Sequence, residues 1–201
     1  MRCVIFCAGE FGGLTEEIRE DDLVIAADGG VKHAEALGIR PDIILGDFDS
    51  LGYAPEGAER YPVEKDDTDA MLAAKRGLQE GCREFLFYGS LDGPRLDHTL
   101  ANLQMLRFLA DRGATGRLLG LRQQVTLLRK GKLPLPARER GDISICAFGG
   151  NAAGVSIRGL KYELEEGTLT PSFPLGVSNS FVGKSAEISV KDGDILIVYD
   201  V

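Results

Sequence analysis

The sequence predicts a chain of two parts: an α/β domain on a mainly parallel, Rossmann-like sheet, followed by an all-β sandwich. Three observations predict it. Short apolar runs alternate with helix-period segments through the first half. Helical periodicity then stops, and short segments punctuated by Gly, Pro and Asn take over. Aspartate-bearing polar clusters follow the apolar runs in the first half.

Residues 2–8, 23–27, 42–45 and 84–88 are apolar at successive positions and rich in Val, Ile, Leu and Phe. A strand buried on both faces reads this way. Residues 31–37 form a helical segment with Gly38 as its stop. Residues 68–79 carry apolar side chains at 71, 72, 74 and 78 and stop at Gly81. Residues 97–112 place Leu100, Leu103, Leu106 and Leu109 on one face and stop at Gly113. Glycine after the last helical turn accepts the left-handed backbone that ends a helix. Strands alternating with helices imply parallel pairing, because each crossover returns the chain to the same edge.

The second half reads differently. Residues 117–119, 124–128, 143–148, 154–157, 162–164, 167–169, 177–181, 186–190 and 194–199 are short, often alternating segments. That pattern suits an antiparallel sandwich or barrel. The boundary falls between Leu119 and Arg140, giving a division into residues 1–121 and 122–201. No low-complexity linker separates the parts.

Composition narrows the function classes. The chain has 201 residues, 44% apolar and 27% charged, which is globular and ample for a core. No apolar run approaches the ~20 residues of a membrane helix. The opening Met1-Arg2-Cys3-Val4-Ile5-Phe6-Cys7 reads as a first strand rather than a signal segment, so the expected location is cytoplasmic. Net charge is −8 without a Lys/Arg cluster, which argues against nucleic acid as a partner. An acidic protein that handles phosphates needs a cation, and Mg²⁺ is the usual one. Cys3, Cys7, Cys82 and Cys146 form no Cys-x-x-Cys pair, and two histidines give no zinc spacing. Small buried hydrophobes are the expected role for the four thiols.

Four polar clusters carry the chemistry. They are Asp28-Gly29-Gly30, Gly46-Asp47-Phe48-Asp49-Ser50, Asp66-Asp67-Thr68-Asp69, and the stretch from Gly89 through Gly93-Pro94-Arg95-Leu96-Asp97-His98. Open α/β sheets bind ligands at the carboxyl ends of their strands, where these clusters converge. Gathered carboxylates repel unless a cation sits among them, which points to a magnesium site. Asp47 and Asp49 are two apart, so an extended chain puts both on one face. One such pair alone reads more readily as a solvated turn, and it is the four acidic clusters together that favour the metal site. Asp67 or Thr68 also reads as a helix cap, and Lys65 as a phosphate contact or a solvated side chain. Gly89, Gly93 and Arg95 suggest a loop offering backbone N–H groups and a bidentate guanidinium to phosphate. Residues 8–13, after the first strand, match neither a Walker loop nor a dinucleotide fingerprint. His98 reads as a helix-start residue orienting its loop, or as a catalytic one.

The ordered set resembles the thiamine pyrophosphokinase family: Asp28-Gly29-Gly30, Pro41-Asp42 leading into Gly46-Asp47-Phe48-Asp49-Ser50, Lys65-Asp66-Asp67-Thr68-Asp69, Gly89 with Gly93-Pro94-Arg95-Leu96-Asp97-His98 and Asn102, then Gly159-Leu160-Lys161-Tyr162 and Val177-Ser178-Asn179. The resemblance spans nearly the whole chain. It implies an N-terminal catalytic domain that binds ATP, a C-terminal β-sandwich that binds thiamine, and a homodimer. The implied reaction moves the pyrophosphoryl group of ATP to the hydroxyl of thiamine. On the family's pattern Asp47, Asp49 and Asp69 fall on the magnesium and catalytic positions. Asp97 joins Asp69 as a candidate to take the hydroxyl proton. Asp28, Gly29, Lys65, Thr68, Gly89, Arg95, Asp97 and His98 fall around ATP, and Ser178 and Asn179 on the thiamine side. Some relatives offer a tryptophan near thiamine; this chain has none, leaving Tyr162 or Phe181 as the aromatic face. Two alternatives stand beside this reading: another Mg-ATP-dependent small-molecule transferase, and a non-catalytic nucleotide or thiamine sensor.

Overall fold

The computed structural model describes residues 1–49 and 51–201. Ser50, the last residue of the 46–50 motif, lies outside the described residues. The chain separates into two compact units, Met1–Leu121 with Val201, and Arg122–Asp200.

The first unit contains β1 (Arg2–Phe6), β2 (Leu23–Ala27), β3 (Ile43–Gly46), β4 (Glu59–Arg60), β5 (Glu84–Tyr88) and β6 (Thr115–Leu119). Every pairing among them is parallel, in the order β6-β5-β1-β2-β3-β4. The central strand β1 is buried at all five positions, and β5 at four of its five, as apolar runs without alternation require. The chain steps outward from β1 through β4, then returns to the other side of β1 for β5 and β6. Connections therefore part company between β1 and β5, which opens a crevice at the carboxyl ends of those two strands. The stretch read as an antiparallel strand at 117–119 is instead β6, parallel to β5. Three alternating residues are too short to distinguish the two pairings.

Helices α1 (Val31–Ala36), α2 (Asp69–Gln79) and α3 (Leu96–Ala110) accompany this sheet. Their buried faces differ from those expected. In α2 the buried positions are Ala70, Ala73, Ala74 and Gly77, rather than the larger Met71, Leu72 and Leu78. Close packing explains this: a Cβ on Gly77 would lie 2.6 Å from the Phe85 ring and 3.0 Å from Cys3 Sγ. In α3 the buried positions are Asn102, Met105, Leu106 and Leu109, while Leu100 is 54% exposed. Cys3, Cys7 and Cys82 are buried and Cys146 half-buried, all as free thiols.

The second unit contains β7 (Gln123–Leu135), β8 (Asp142–Ala147), β9 (Ala152–Arg158), β10 (Leu164–Leu169), β11 (Gly176–Ser180) and β12 (Ala186–Asp200), with no helix among the described residues. All pairings are antiparallel. The long β12 organises them. It pairs with β7 along its length, with β9 near its start and with β8 near its end. The two segments read at 186–190 and 194–199 are this one strand. Its core-facing residues are Ala186, Ile188 and Val190 before the register shift, then Ile195, Ile197 and Tyr199 after it. An irregularity between Val190 and Asp194 is what lets both halves face one core despite the change of parity. Gly193 makes it feasible: φ is +87°, and a Cβ would lie 2.3 Å from the Asn151 carbonyl oxygen. Among the described residues, no helix is long and apolar enough to cross a membrane.

Candidate active site

The crevice at the ends of β1 and β5 has a volume of about 400 Å³. Its walls are Cys7, Ala8 and Gly9 after β1, Asp28 after β2, Thr68, Asp69 and Ala70 at the start of α2, the 89–95 loop after β5, and His98, Thr99 and Asn102 on α3. Backbone bonds latch the first and last of these loops together. Cys7 N–H donates to the Tyr88 carbonyl at 2.8 Å, Gly9 N–H to Gly89 O at 3.0 Å and Glu10 N–H to Asp92 O at 2.6 Å. The latch needs glycine, since a Cβ on Gly9 would lie 2.6 Å from Gly89 O, and one on Gly89 2.5 Å from Cys7 O. Helix α3 holds the far side. Buried Asn102 donates from Nδ2 to Ser90 O at 2.7 Å, and Thr99 Oγ1 donates to Leu91 O at 3.2 Å. Sequence reading did not single out Ser90 or Thr99, whose roles appear only when α3 meets the loop.

Beside the crevice stands an acidic cluster. Carboxylate oxygens of Asp28, Asp47 and Asp49 lie within 4.8 Å of one another. Asp28 sits in a 3-10 turn at Asp28–Gly30 with φ of 48° and is 8% exposed. Asp47 and Asp49 are brought together by a turn rather than by the expected extended chain. Strand β3 ends at Gly46, and Phe48 between them is left-handed at φ 60° with its side chain buried. Burial of that ring holds a backbone conformation that bulky residues rarely adopt.

Lys65 is wedged into this cluster and is no solvated side chain. Its Nζ lies 2.5 Å from Asp47 Oδ2 and 3.1 Å from Asp69 Oδ1, and its side chain is 13% exposed. The hydrogen bond from Lys65 holds the Asp47 carboxyl below its usual range. Burial works against the Lys65 charge, but the bonds to Asp47 and Asp69 outweigh it and raise its pKa. Asp69 goes the other way: burial pushes its pKa up, the charges of Asp47 and Asp28 add to that, and Lys65 only partly opposes them. Two neighbouring carboxyls are thus driven apart in basicity. Thr68 Oγ1 accepts from Met71 N–H at 3.2 Å, so it caps α2 as well as lining the crevice.

Of the expected site residues, Asp28, Thr68, Asp69, Gly89, Arg95 and His98 line the crevice. Asp47, Asp49 and Lys65 adjoin it through Asp28 and Asp69. Gly29 lies in the turn that carries Asp28. Asp97 is not part of the lining. It accepts from Arg95 Nη2 at 2.6 Å and from Nε at 3.2 Å, with both side chains 64% exposed. The hydrogen bond from Arg95 holds its pKa down. Around the expected residues Asp47, Asp49 and Asp69, Asp28 lies with the first two, and the Lys65 ammonium stands between Asp47 and Asp69.

In the second unit, Asn179 is buried and its amide makes three hydrogen bonds. Oδ1 accepts from Tyr162 N–H at 3.0 Å and from Ser180 N–H at 2.9 Å, and Nδ2 donates to Tyr162 O at 2.7 Å. Ser178 is left-handed at φ 63°, and its N–H donates to Ser144 Oγ at 3.1 Å. Phe181 is 3% exposed inside the core and presents no free ring face. Tyr162 is 59% exposed and stays available.

A parallel sheet with a glycine-latched crevice at its switch point and acidic groups beside it has the form of an α/β ligand-binding domain. Residues 14–115 match the family described as thiamin pyrophosphokinase, catalytic domain, and residues 132–195 the one described as thiamin pyrophosphokinase, vitamin B1 binding domain. The chain belongs to the thiamin pyrophosphokinase family. A thiamine pyrophosphokinase of Bacillus subtilis is 26% identical over 194 residues, spanning 92% of this chain and 90% of that protein. The crystal structure of thiamine pyrophosphokinase from Bacillus subtilis superposes with a TM-score of 0.88 at 24% identity, over 100% of this chain and 99% of that one. Thiamin pyrophosphokinase from Candida albicans superposes at 0.76 with 14% identity, over 100% and 88%. Likeness at these identities establishes the shared fold.

Proposed function

We infer that this chain catalyses transfer of the pyrophosphoryl group of ATP to the hydroxyl of thiamine, giving thiamine diphosphate and AMP. The observation that carries it is the match of both halves, in order, to the catalytic and vitamin-binding parts of one family. We read the first part, residues 1–121, as a Rossmann-like ATP-binding catalytic domain. The second, residues 122–201, we read as a β-sandwich that binds thiamine. The same reading makes the protein a cytoplasmic homodimer.

The triphosphate occupies the crevice between the β1 and β5 loops. Arg95 exchanges Asp97 for a phosphate oxygen, and Thr68 and His98 border the same space. Asp28, Asp47 and Asp49 offer hard oxygen donors close enough for one divalent cation, and Lys65 already answers their demand for positive charge. Magnesium there would supply neutralisation of phosphate charge. The thiamine hydroxyl oxygen bonds to the β-phosphorus, the β-phosphorus to bridging-oxygen bond breaks, and that oxygen leaves on AMP. Asp69, the carboxyl whose pKa is raised, takes the hydroxyl proton. On the second unit Tyr162 supplies the aromatic face, Ser178 borders it, and Asn179 organises both through the Tyr162 backbone.

Incubating the purified protein with Mg-ATP and thiamine and resolving the products tests this reading. Thiamine diphosphate and AMP in equal amounts are expected. ATP turnover on another alcohol alone would indicate a different transferase, and binding without turnover would indicate a sensor.

A further inference from the structure

His33 lies behind the crevice rather than in it. Helix α1 starts flush against the end of β1: a Cβ on Gly30 would lie 2.0 Å from the Phe6 carbonyl oxygen. That approach carries His33, three residues on, to the back of the loop that follows β1. His33 Nε2 is 2.9 Å from the Gly9 carbonyl oxygen. A carbonyl only accepts, so Nε2 carries the proton in this bond, whether the ring is neutral or charged.

The bonded group is a peptide that shapes the crevice. The Gly9 carbonyl accepts from His33, while the N–H of the same peptide, on Glu10, donates to Asp92 O at 2.6 Å. The Gly9 N–H is held by Gly89 O. Gly9, Gly89 and Asp92 are all crevice wall. The ring of His33 is itself fixed, 5.1 Å from the ring of Phe11, which packs edge-on against Phe6 and Tyr88 at 5.8 Å. Tyr88 is the residue before Gly89. One side chain thus joins the latch of the β1 and β5 loops to the aromatic cluster beneath it.

We propose that His33 is a positioning residue for the nucleotide phosphates, fixing the Gly9 peptide so that the latched loops present a preformed cradle. The proposal rests on the reading that ATP occupies this crevice. It deepens that reading by assigning a role to a residue outside the lining.

Two substitutions separate bond from packing. His33→Phe keeps a ring against Phe11 and removes the donor, whereas His33→Gln restores an N–H at similar reach without the ring. Loss of one ordinary hydrogen bond corresponds to about fivefold in affinity. In His33→Phe, KM for Mg-ATP should rise about fivefold, with kcat and the thiamine KM changed less than about twofold. His33→Gln should bring the Mg-ATP KM back to within about twofold of the unsubstituted protein. An unchanged Mg-ATP KM in His33→Phe, or equal increases in both variants, overturns the proposal. If His33→Phe fails to fold, His33→Asn replaces it: the shorter amide falls short of Gly9, so equal values for Asn and Gln overturn the proposal. Calorimetry of Mg-ATP binding reads the same fold-change without turnover. A protein that binds Mg-ATP but makes no thiamine diphosphate would then sink the functional reading while leaving this one decided.

Discussion

The Lys65 ammonium sits 2.5 Å from Asp47 Oδ2, with both side chains almost withdrawn from water at 13% and 11% exposure. A charge pair this sheltered is screened far less than a surface one. Its positive charge offsets part of the mutual repulsion of Asp28, Asp47, Asp49 and Asp69, which crowd one corner of the sheet. The lysine keeps Asp47 ionised, while burial leaves Asp69 more basic than an ordinary carboxylate despite the opposing charge of Lys65.

Replacing Lys65 with Met should therefore change the pH profile as well as the rate. The base form of Asp69 is lost as pH falls through its raised pKa, which sets the acid limb of kcat/KM. Lys65 opposes that rise, so its removal raises the Asp69 pKa further, and the acid limb moves to higher pH. We expect kcat/KM for Mg-ATP at neutral pH to fall at least about tenfold. Measuring kcat/KM against pH in both proteins checks it; an acid limb that stays in place excludes Asp69 as the limiting base.

The acidic residues should divide by position. Asp47→Asn and Asp69→Asn are each expected to lower kcat by about 100-fold or more while the fold is retained, with the thermal midpoint of Asp47→Asn lowered because Lys65 loses its nearest partner. Asp28→Asn is expected to raise the Mg²⁺ concentration for half-maximal turnover by about tenfold, as for loss of one group around a metal. Asp97→Asn, in an exposed pair, should leave that magnesium dependence unchanged. Turnover titrated with magnesium in the four variants decides each; near-normal kcat in both Asp47→Asn and Asp69→Asn removes the catalytic assignment.

Much of the first unit is visible in its residues because burial on both faces leaves no room for polar ones. Strands β2 and β5 coincide with the apolar runs at 23–27 and 84–88. Gly38, Gly81 and Gly113 all take the positive φ expected after a helix end. What escaped depends on contacts distant in sequence. The buried face of α2 is alanine and glycine because Phe85 and Cys3 press on its backbone. Asp47 meets Asp49 through a left-handed Phe48 that an apolar core holds in place. Lys65 reaches Asp47 across 18 residues, so local pattern left it as a phosphate contact or a solvated lysine. Two further contacts invisible to local pattern are the burial of Phe181 in the core and the bonds of the Asn179 amide to the backbone of Tyr162.

That use of Asn179 has a measurable cost. Asn179→Ala would remove the partners of the Tyr162 N–H and carbonyl and of the Ser180 N–H, three part-buried bonds. About 2–3 kcal/mol of destabilisation follows, a drop of roughly 5–10 °C in thermal midpoint. Ser178→Ala removes an exposed hydroxyl and should leave the midpoint within about 2 °C. Thermal melts of the two variants side by side check this; equal stability in Asn179→Ala would show that the Tyr162 backbone finds other partners.

Stability should depend on pH through Asp22. Arg2, buried in β1, donates from Nε to Asp22 Oδ1 at 2.9 Å and from Nη2 to Oδ2 at 2.5 Å, and also reaches Glu16 and the Glu17 carbonyl. This ties the segment between β1 and β2 to the central strand. Burial pushes the Asp22 pKa up, but the hydrogen bonds from Arg2 and the Arg19 N–H outweigh it, and the net shift is downward. A carboxyl whose folded pKa is depressed contributes stability above its unfolded value, about 3.9, and loses it as pH falls through the folded value. At about pH 7, Asp22→Asn should cost about 2 kcal/mol, since it removes the carboxylate that takes two of the buried Arg2 hydrogen bonds and leaves Glu16 as its remaining charge partner. The difference in thermal midpoint between the two proteins should shrink as pH is lowered from about 5 toward 2, because protonation makes Asp22 resemble the asparagine. Both proteins lose their other carboxylate interactions equally over that range, so the gap isolates Asp22; a gap that stays constant down to about pH 2 would refute the charge pair as its source.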